Sequence, residues 1–146
     1  MNPTQNLGKS TEMLVTSMLL AENREVYLPT VDDHGVDLIV RTRNCHESTE
    51  ESQNYAVFQE LQVKSVSTGG LFAAIKCDNP RFNYWFVFYI KDIDRMWLIN
   101  SLDFVNISSR NTQGKNIGKY SLDLKPTKST PIKHSHFVIT DFAKLP

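Results

Sequence analysis

Three short stretches carry polar residues that together would form a hydrolytic centre: Glu12, then Gly35-Val36-Asp37, then Gln62-Val63-Lys64. Asp37 opens the apolar run Asp37-Leu38-Ile39-Val40, and Lys64 closes Leu61-Gln62-Val63-Lys64. A carboxylate or ammonium in such company is costly unless something compensates it. Two carboxylates, an amide oxygen and a lysine brought together make a divalent-metal phosphodiesterase site. Mg2+ takes hard oxygen ligands and keeps several waters, so one or two carboxylates with an amide or backbone oxygen suffice. The cation would polarise a scissile phosphate and lower the pKa of a water. Lys64 would orient that water or stabilise charge building on the phosphoryl oxygens. Gln62 is the weak member, because a neutral amide binds a divalent cation less tightly than a glutamate.

The elements that must position these residues follow from apolar periodicity. Residues 1–8 read as a loose lead-in to a single domain spanning 1–146. From Ser10 a helix is expected, since Met13, Leu14, Val15, Met18, Leu19 and Leu20 supply an apolar stripe without Gly or Pro. Ser10 or Thr11 would cap it and Glu12 would lie in its first turn, where negative charge is favoured. Val26 to Pro29 reads as a short edge strand, and Val36 to Thr42 as a β-branched strand entered from the loop Asp32-Asp33-His34-Gly35. The acidic segment Asn44 to Asn54 is a connection, and a long strand follows from Tyr55 to Val66. Alternation puts Phe58, Glu60, Gln62 and Lys64 on one face of that strand, with Val57, Leu61 and Val63 on the other. Asp37 shares its own face with Ile39 and Arg41. If the two strands pair, Asp37 meets Gln62 and Lys64 near one end of the sheet.

Further along, Leu71 to Lys76 is short and ambiguous. Tyr84 to Ile90 is the most apolar run and reads as a central strand covered on both faces. It pairs through the turn at Asp92 to Arg95 with Met96 to Asn100. Ser101 to Phe104 reads as a short capped helix, and strands near Tyr120–Leu124 and His136–Thr140 finish an α/β or α+β domain dominated by its sheet.

The ordered set resembles the PD-(D/E)XK nuclease superfamily, also called the restriction-endonuclease-like fold. There a helix carries a Glu, a strand an Asp often within G-[IV]-D, and a later strand ends in (E/Q)-x-K. Glu12, Gly35-Val36-Asp37 and Gln62-Val63-Lys64 match these in order. The Q-x-K form is similar to that of restriction enzymes and of small uncharacterised bacterial members. The resemblance covers roughly Ser10 to Ser65. It implies a mixed central sheet flanked by helices, and Mg2+ or Mn2+ held by Asp37, Glu12, Gln62 and the backbone carbonyl of Val63. It further implies Lys64, Asp37, Gln62 and Glu12 as catalytic residues and hydrolysis of phosphodiester bonds in DNA. Many members have lost catalysis, so the alternative is an inactive nuclease-fold module that binds DNA or a protein partner. By analogy with enzymes that cut both strands, a homodimer is expected.

Composition sets the outer bounds. At 146 residues the chain would bury about two-thirds of its unfolded surface as one domain. No stretch reaches the roughly 18–20 apolar residues of a membrane helix, and the first residues lack a signal peptide's basic and apolar regions. A cytoplasmic protein with free thiols at Cys45 and Cys77 is expected. The formal net charge is zero, which counts against a polyanionic partner. The charge is unevenly spread, however: from Asn106 to His136, Arg110, Lys115, Lys119, Lys125, Lys128 and Lys133 face only Asp123. As ordinary structure, Glu60 would pair with Arg41, His34 would be an exposed loop residue, and His134-Ser135-His136 an exposed strand without the partners a zinc site needs.

Overall fold

The helix begins earlier than its apolar stripe. In the computed structural model, which describes residues 2–31, 34–43 and 57–146, α1 spans Pro3–Ala21. Asn2 caps it reciprocally with Gln5: the Gln5 amide donates to Asn2 Oδ1 at 2.9 Å, and the Asn2 amide to Gln5 Oε1 at 3.1 Å. Pro3 takes the first helical position, where its missing N–H costs nothing. Residues 3–8 are therefore helix rather than a loose lead-in, and Glu12 lies in the body of α1 rather than its first turn. The cap residues and Gly8 are polar or small, so apolar periodicity alone could not register them. The buried stripe is also narrower than expected. Thr11, Val15 and Leu19 are buried at i, i+4 and i+8, whereas Met13, Leu14 and Leu20 are exposed.

Six strands form the main sheet in the order β1 (Val26–Tyr27), β2 (Leu38–Arg41), β3 (Phe58–Val66), β5 (Tyr84–Ile90), β6 (Arg95–Asn100) and β9 (Val138–Ile139). Only β3 and β5 run parallel; the other neighbours are antiparallel. The sheet is mixed, with the apolar strand β5 near its centre, in the fold class expected. Between β3 and β5 the chain leaves for β4 (Leu71–Ile75), which joins β8 (Tyr120–Asp123) and β7 (Ser109–Arg110) in a second, antiparallel sheet. The short helix α2 (Ser101–Ile107) is capped by Asn100, whose side chain accepts from the Leu102 amide at 3.0 Å. His134 to His136 do not form the expected strand: Ser135–Phe137 is a turn of 3-10 helix entered through a left-handed His134.

Each face of the main sheet buries its own apolar layer. On one, Val15 and Leu19 of α1 meet Leu38, Val40, Leu61, Val63 and Val87. On the other, Phe72, Ile75, Leu122 and Leu124 of the second sheet and Phe104 of α2 cover Phe86, Phe88, Trp97 and Ile99. The alternation read from β3 is thus realised, with Leu61 and Val63 toward α1 and the even positions toward the second sheet. Where flanking helices were expected, this face is covered by a sheet and a helix together. The chain's last residues close back on α1, where the Phe142 amide donates to Glu22 Oε1 at 2.7 Å and Arg24 donates to the Leu145 carbonyl at 3.0 Å.

Candidate functional site

Antiparallel pairing sets Leu38 against Leu61 and Ile39 against Glu60, and Asp37 immediately precedes the paired run, at the end of β2 where β3 continues into Gln62. The ladder loosens there in a specific way. The Asp37 amide still donates to the Leu61 carbonyl at 2.9 Å, but the Val63 amide donates to the Asp37 side chain, Oδ2, at 2.6 Å. A backbone donor that would otherwise continue the sheet instead fixes the carboxylate. Within a strand a residue's carbonyl points to the same edge as its amide, so the Val63 carbonyl also faces Asp37.

Gln62 is buried, at 9 % exposure, and its amide is held from two sides. The Tyr84 hydroxyl donates to Gln62 Oε1 at 3.0 Å. On the other side Gly35, at φ +71°, lies so close that a Cβ there would come within 2.4 Å of Gln62 Nε2. Gly35 serves the site twice, through its left-handed backbone and through the space its missing side chain leaves. Tyr84, at the start of β5, was not legible as a site residue because it opens an uninterrupted apolar run. The available signal was chemical: a buried tyrosine hydroxyl needs a partner. Burial raises its pKa well above the usual tyrosine range, and Asp37 and Glu60 push the same way.

Glu12 stands on α1, with its Oε2 2.8 Å from Lys9 Nζ. The hydrogen bond to Glu12 raises the Lys9 pKa, and the more distant Asp37 adds to that effect. The two carboxylates therefore act on one ammonium, which stands where positive charge is favoured. Lys64 is half-buried and two residues beyond Gln62 on the same face; with Lys119 it lines a cavity of about 360 Å³ that Gln62 also borders. A larger cavity of about 690 Å³ opens on Gln62's other side, walled by His34, Gly35, Tyr84 and Arg81. His34 is exposed there, with a left-handed φ of +67°.

Asp37, the Gln62 amide oxygen, with a second lone pair beyond the one Tyr84 uses, and the Val63 backbone carbonyl are donors suited to a hard divalent cation, whereas Glu12 stands on α1, which packs on the Leu61 and Val63 face of the sheet, opposite the face that carries Gln62. No three His, Cys, Asp or Glu side chains group as a metal site among the described residues, so such a cation would rely on the amide and backbone oxygens. Glu60 is corrected. Its partner is Arg81, which donates through Nε at 3.0 Å and through a second guanidinium nitrogen, while Arg41 pairs with Glu25 across β1 and β2. Cys77 is a free, buried thiol at the cavity wall, and burial pushes its pKa up to about 11. Cys45 lies outside the described residues.

No family model matches the sequence, and no curated protein sequence matches it. Among solved structures the chain is similar to a bacterial homing endonuclease, I-Ssp6803I, with a TM-score of 0.51 and 15 % identity over 87 % of this chain and 81 % of that one. At that identity the likeness is one of fold. No helix among the described residues is long and apolar enough to cross a membrane.

Proposed function

We propose that this chain is a metal-dependent, nuclease-like domain of the PD-(D/E)XK type that hydrolyses phosphodiester bonds in DNA. The observation that carries the reading is the Asp37 carboxylate fixed at 2.6 Å by the amide of Val63, the residue between Gln62 and Lys64 on β3. The fold it shares with a bacterial homing endonuclease supports it further. Asp37 and Glu12 would hold Mg2+ or Mn2+, with Gln62 Oε1 and the Val63 carbonyl completing the protein ligands. When bound, the cation supplies Lewis-acid polarisation of the phosphate. Lys64 holds the attacking water by donating a hydrogen bond, and its charge stabilises the phosphoryl oxygens as the leaving P–O bond breaks. Tyr84 and Gly35 keep the Gln62 amide in one orientation. Binding the cation requires Lys9 to swing away from Glu12, which its exposed position permits.

A second reading is favoured by one observation: the position that would carry a second strand carboxylate is an amide already engaged by Tyr84. On that reading the chain is an inactive module on the same fold, binding DNA or a protein partner. Calorimetric titration with Mn2+ separates the two. The nuclease reading expects binding by the wild type that Asp37→Ala weakens at least about tenfold, a loss of about 1.4 kcal/mol. DNA binding without any Mn2+ or Mg2+ binding would instead select the inactive module.

A further inference from the structure

The cavities around the site are joined. The 360 Å³ cavity shares Gln62 and Lys76 with the larger one beside Tyr84, and shares Ala73 and Ala74 with a third, open cavity of about 620 Å³ on the second sheet. Concave surface therefore runs from Gln62 across β4 to the loop between β7 and β8. Its floor is made by a β-bulge. Pairing of β4 with β8 shifts register between Phe72 and Ile75, and Ala74 sits there at φ +57°. Bulges re-aim side chains and bend a strand, and here the two residues at the bend are alanines, whose methyl groups leave the trough open.

Its walls carry one sign of charge. Lys64, Lys76 and Lys119 line the stretch nearest the site, and Arg110 and Lys115 line the far stretch; among the described residues neither stretch is lined by an Asp or Glu. Among the described residues, Lys76 alone of these has an ion-pair partner, Asp78 at 3.3 Å, with both side chains largely exposed. Screening makes such a surface pair weak. Between the cations, Asn111, Thr112 and Asn116 offer neutral hydrogen-bonding groups. A low-walled groove lined by a single sign of charge concentrates polyanions. A path of cations with interleaved amides and hydroxyls is what a phosphodiester backbone engages, since most protein contacts to nucleic acid go to phosphate and sugar.

We propose that this trough binds the phosphate backbone of DNA flanking the scissile bond and leads it from the β7–β8 loop into the Gln62–Lys64 end. The proposal rests on the nuclease-like reading for the identity of the bond at that end, and on the trough alone for binding. It explains how a chain of zero net charge accommodates a polyanion: the cations are collected along one line.

Fluorescence anisotropy with a short labelled duplex, in EDTA so that nothing is cut, tests it over a range of salt. Arg110→Ala/Lys115→Ala/Lys119→Ala is expected to weaken Kd by at least about tenfold and to flatten the slope of log K against log salt by about 2–3, near one per lost phosphate contact. Ala73→Glu, which sets a carboxylate on the exposed floor, is expected to weaken binding to a similar extent. Lys91→Ala/Lys128→Ala, remote from the trough lining, is expected to bind as wild type does. Wild-type Kd and slope in the triple variant would overturn the proposal, as would a wild type that binds no duplex, or displacement by poly-glutamate as effective as by unlabelled duplex. The two readings fail separately. Loss of binding in the triple variant of a protein that cuts nothing removes only the nuclease assignment. Metal-dependent cutting with a trough-insensitive Kd removes only the trough.

Discussion

At the scale of single residues, the site is defined by what holds Gln62. Its side chain has a tyrosine hydroxyl on one side and a glycine on the other, and both contacts make measurable claims. Tyr84→Phe leaves Gln62 Oε1 buried without that donor and is expected to cost about 1–3 kcal/mol in denaturant unfolding. Gly35→Ala forces an L-residue to φ +71° and a methyl to 2.4 Å from the amide nitrogen. It is expected to destabilise by about 1–3 kcal/mol from the backbone alone. Adding Gln62→Ala should recover the part due to overlap and leave the backbone part, which a double-mutant cycle reads directly. Cys77 supplies a pH signature. Its thiol titrates near 9.0 when exposed and near 11 when folded, so the stabilisation from keeping it protonated is complete below pH 9. It is lost as pH rises toward 11. Unfolding midpoints of wild type and Cys77→Ala should therefore converge or cross over that interval. That Gln62 and Lys64 share one face was legible in the sequence because strand alternation has a fixed period. The roles of Tyr84 and Arg81 were not, because these residues come from β5 and the loop before it, while their partners Gln62 and Glu60 lie on β3, a parallel crossover away.

At the scale of elements, α1 is stabilised at an end that periodicity does not mark. Asn2→Ala removes a reciprocal cap and is expected to cost about 0.5–2 kcal/mol. The strands were more readable than the helix start, since β-branched and aromatic runs such as Tyr84–Ile90 signal themselves. Very short strands were read unevenly: β1 and β9, two residues each, fall within expected strands, whereas β7 was missed and depends on β8 for its partner. His134 to His136 read as a strand by its neighbours, but the left-handed backbone at His134 turns the chain first. The core contact that seats the second layer is Phe104, tilted against Phe86 and stacked on Phe88 with ring centroids 4.4 and 5.8 Å away.

At the scale of the whole molecule, composition was the least informative signal. A net charge of zero argued against a polyanionic partner, while the fold gathers cations from β3, β4 and the β7–β8 loop along one trough. Sequence order hides that gathering, since Lys64 and Lys115 are far apart in the chain. The second sheet that brings them together was likewise out of reach from the sequence, because β4 pairs with β8 across the whole of β5, β6 and α2. The central claim is that Asp37 and Lys64 serve one metal-dependent hydrolytic site. It is tested most directly by cleavage of supercoiled plasmid DNA with Mg2+ or Mn2+, comparing wild type with Asp37→Ala and Lys64→Ala, each first shown to be folded. The account predicts cutting by the wild type that EDTA abolishes and that each substitution reduces at least about a hundredfold, a loss of about 2.7 kcal/mol of transition-state stabilisation. Cutting that persists undiminished in both variants would contradict it.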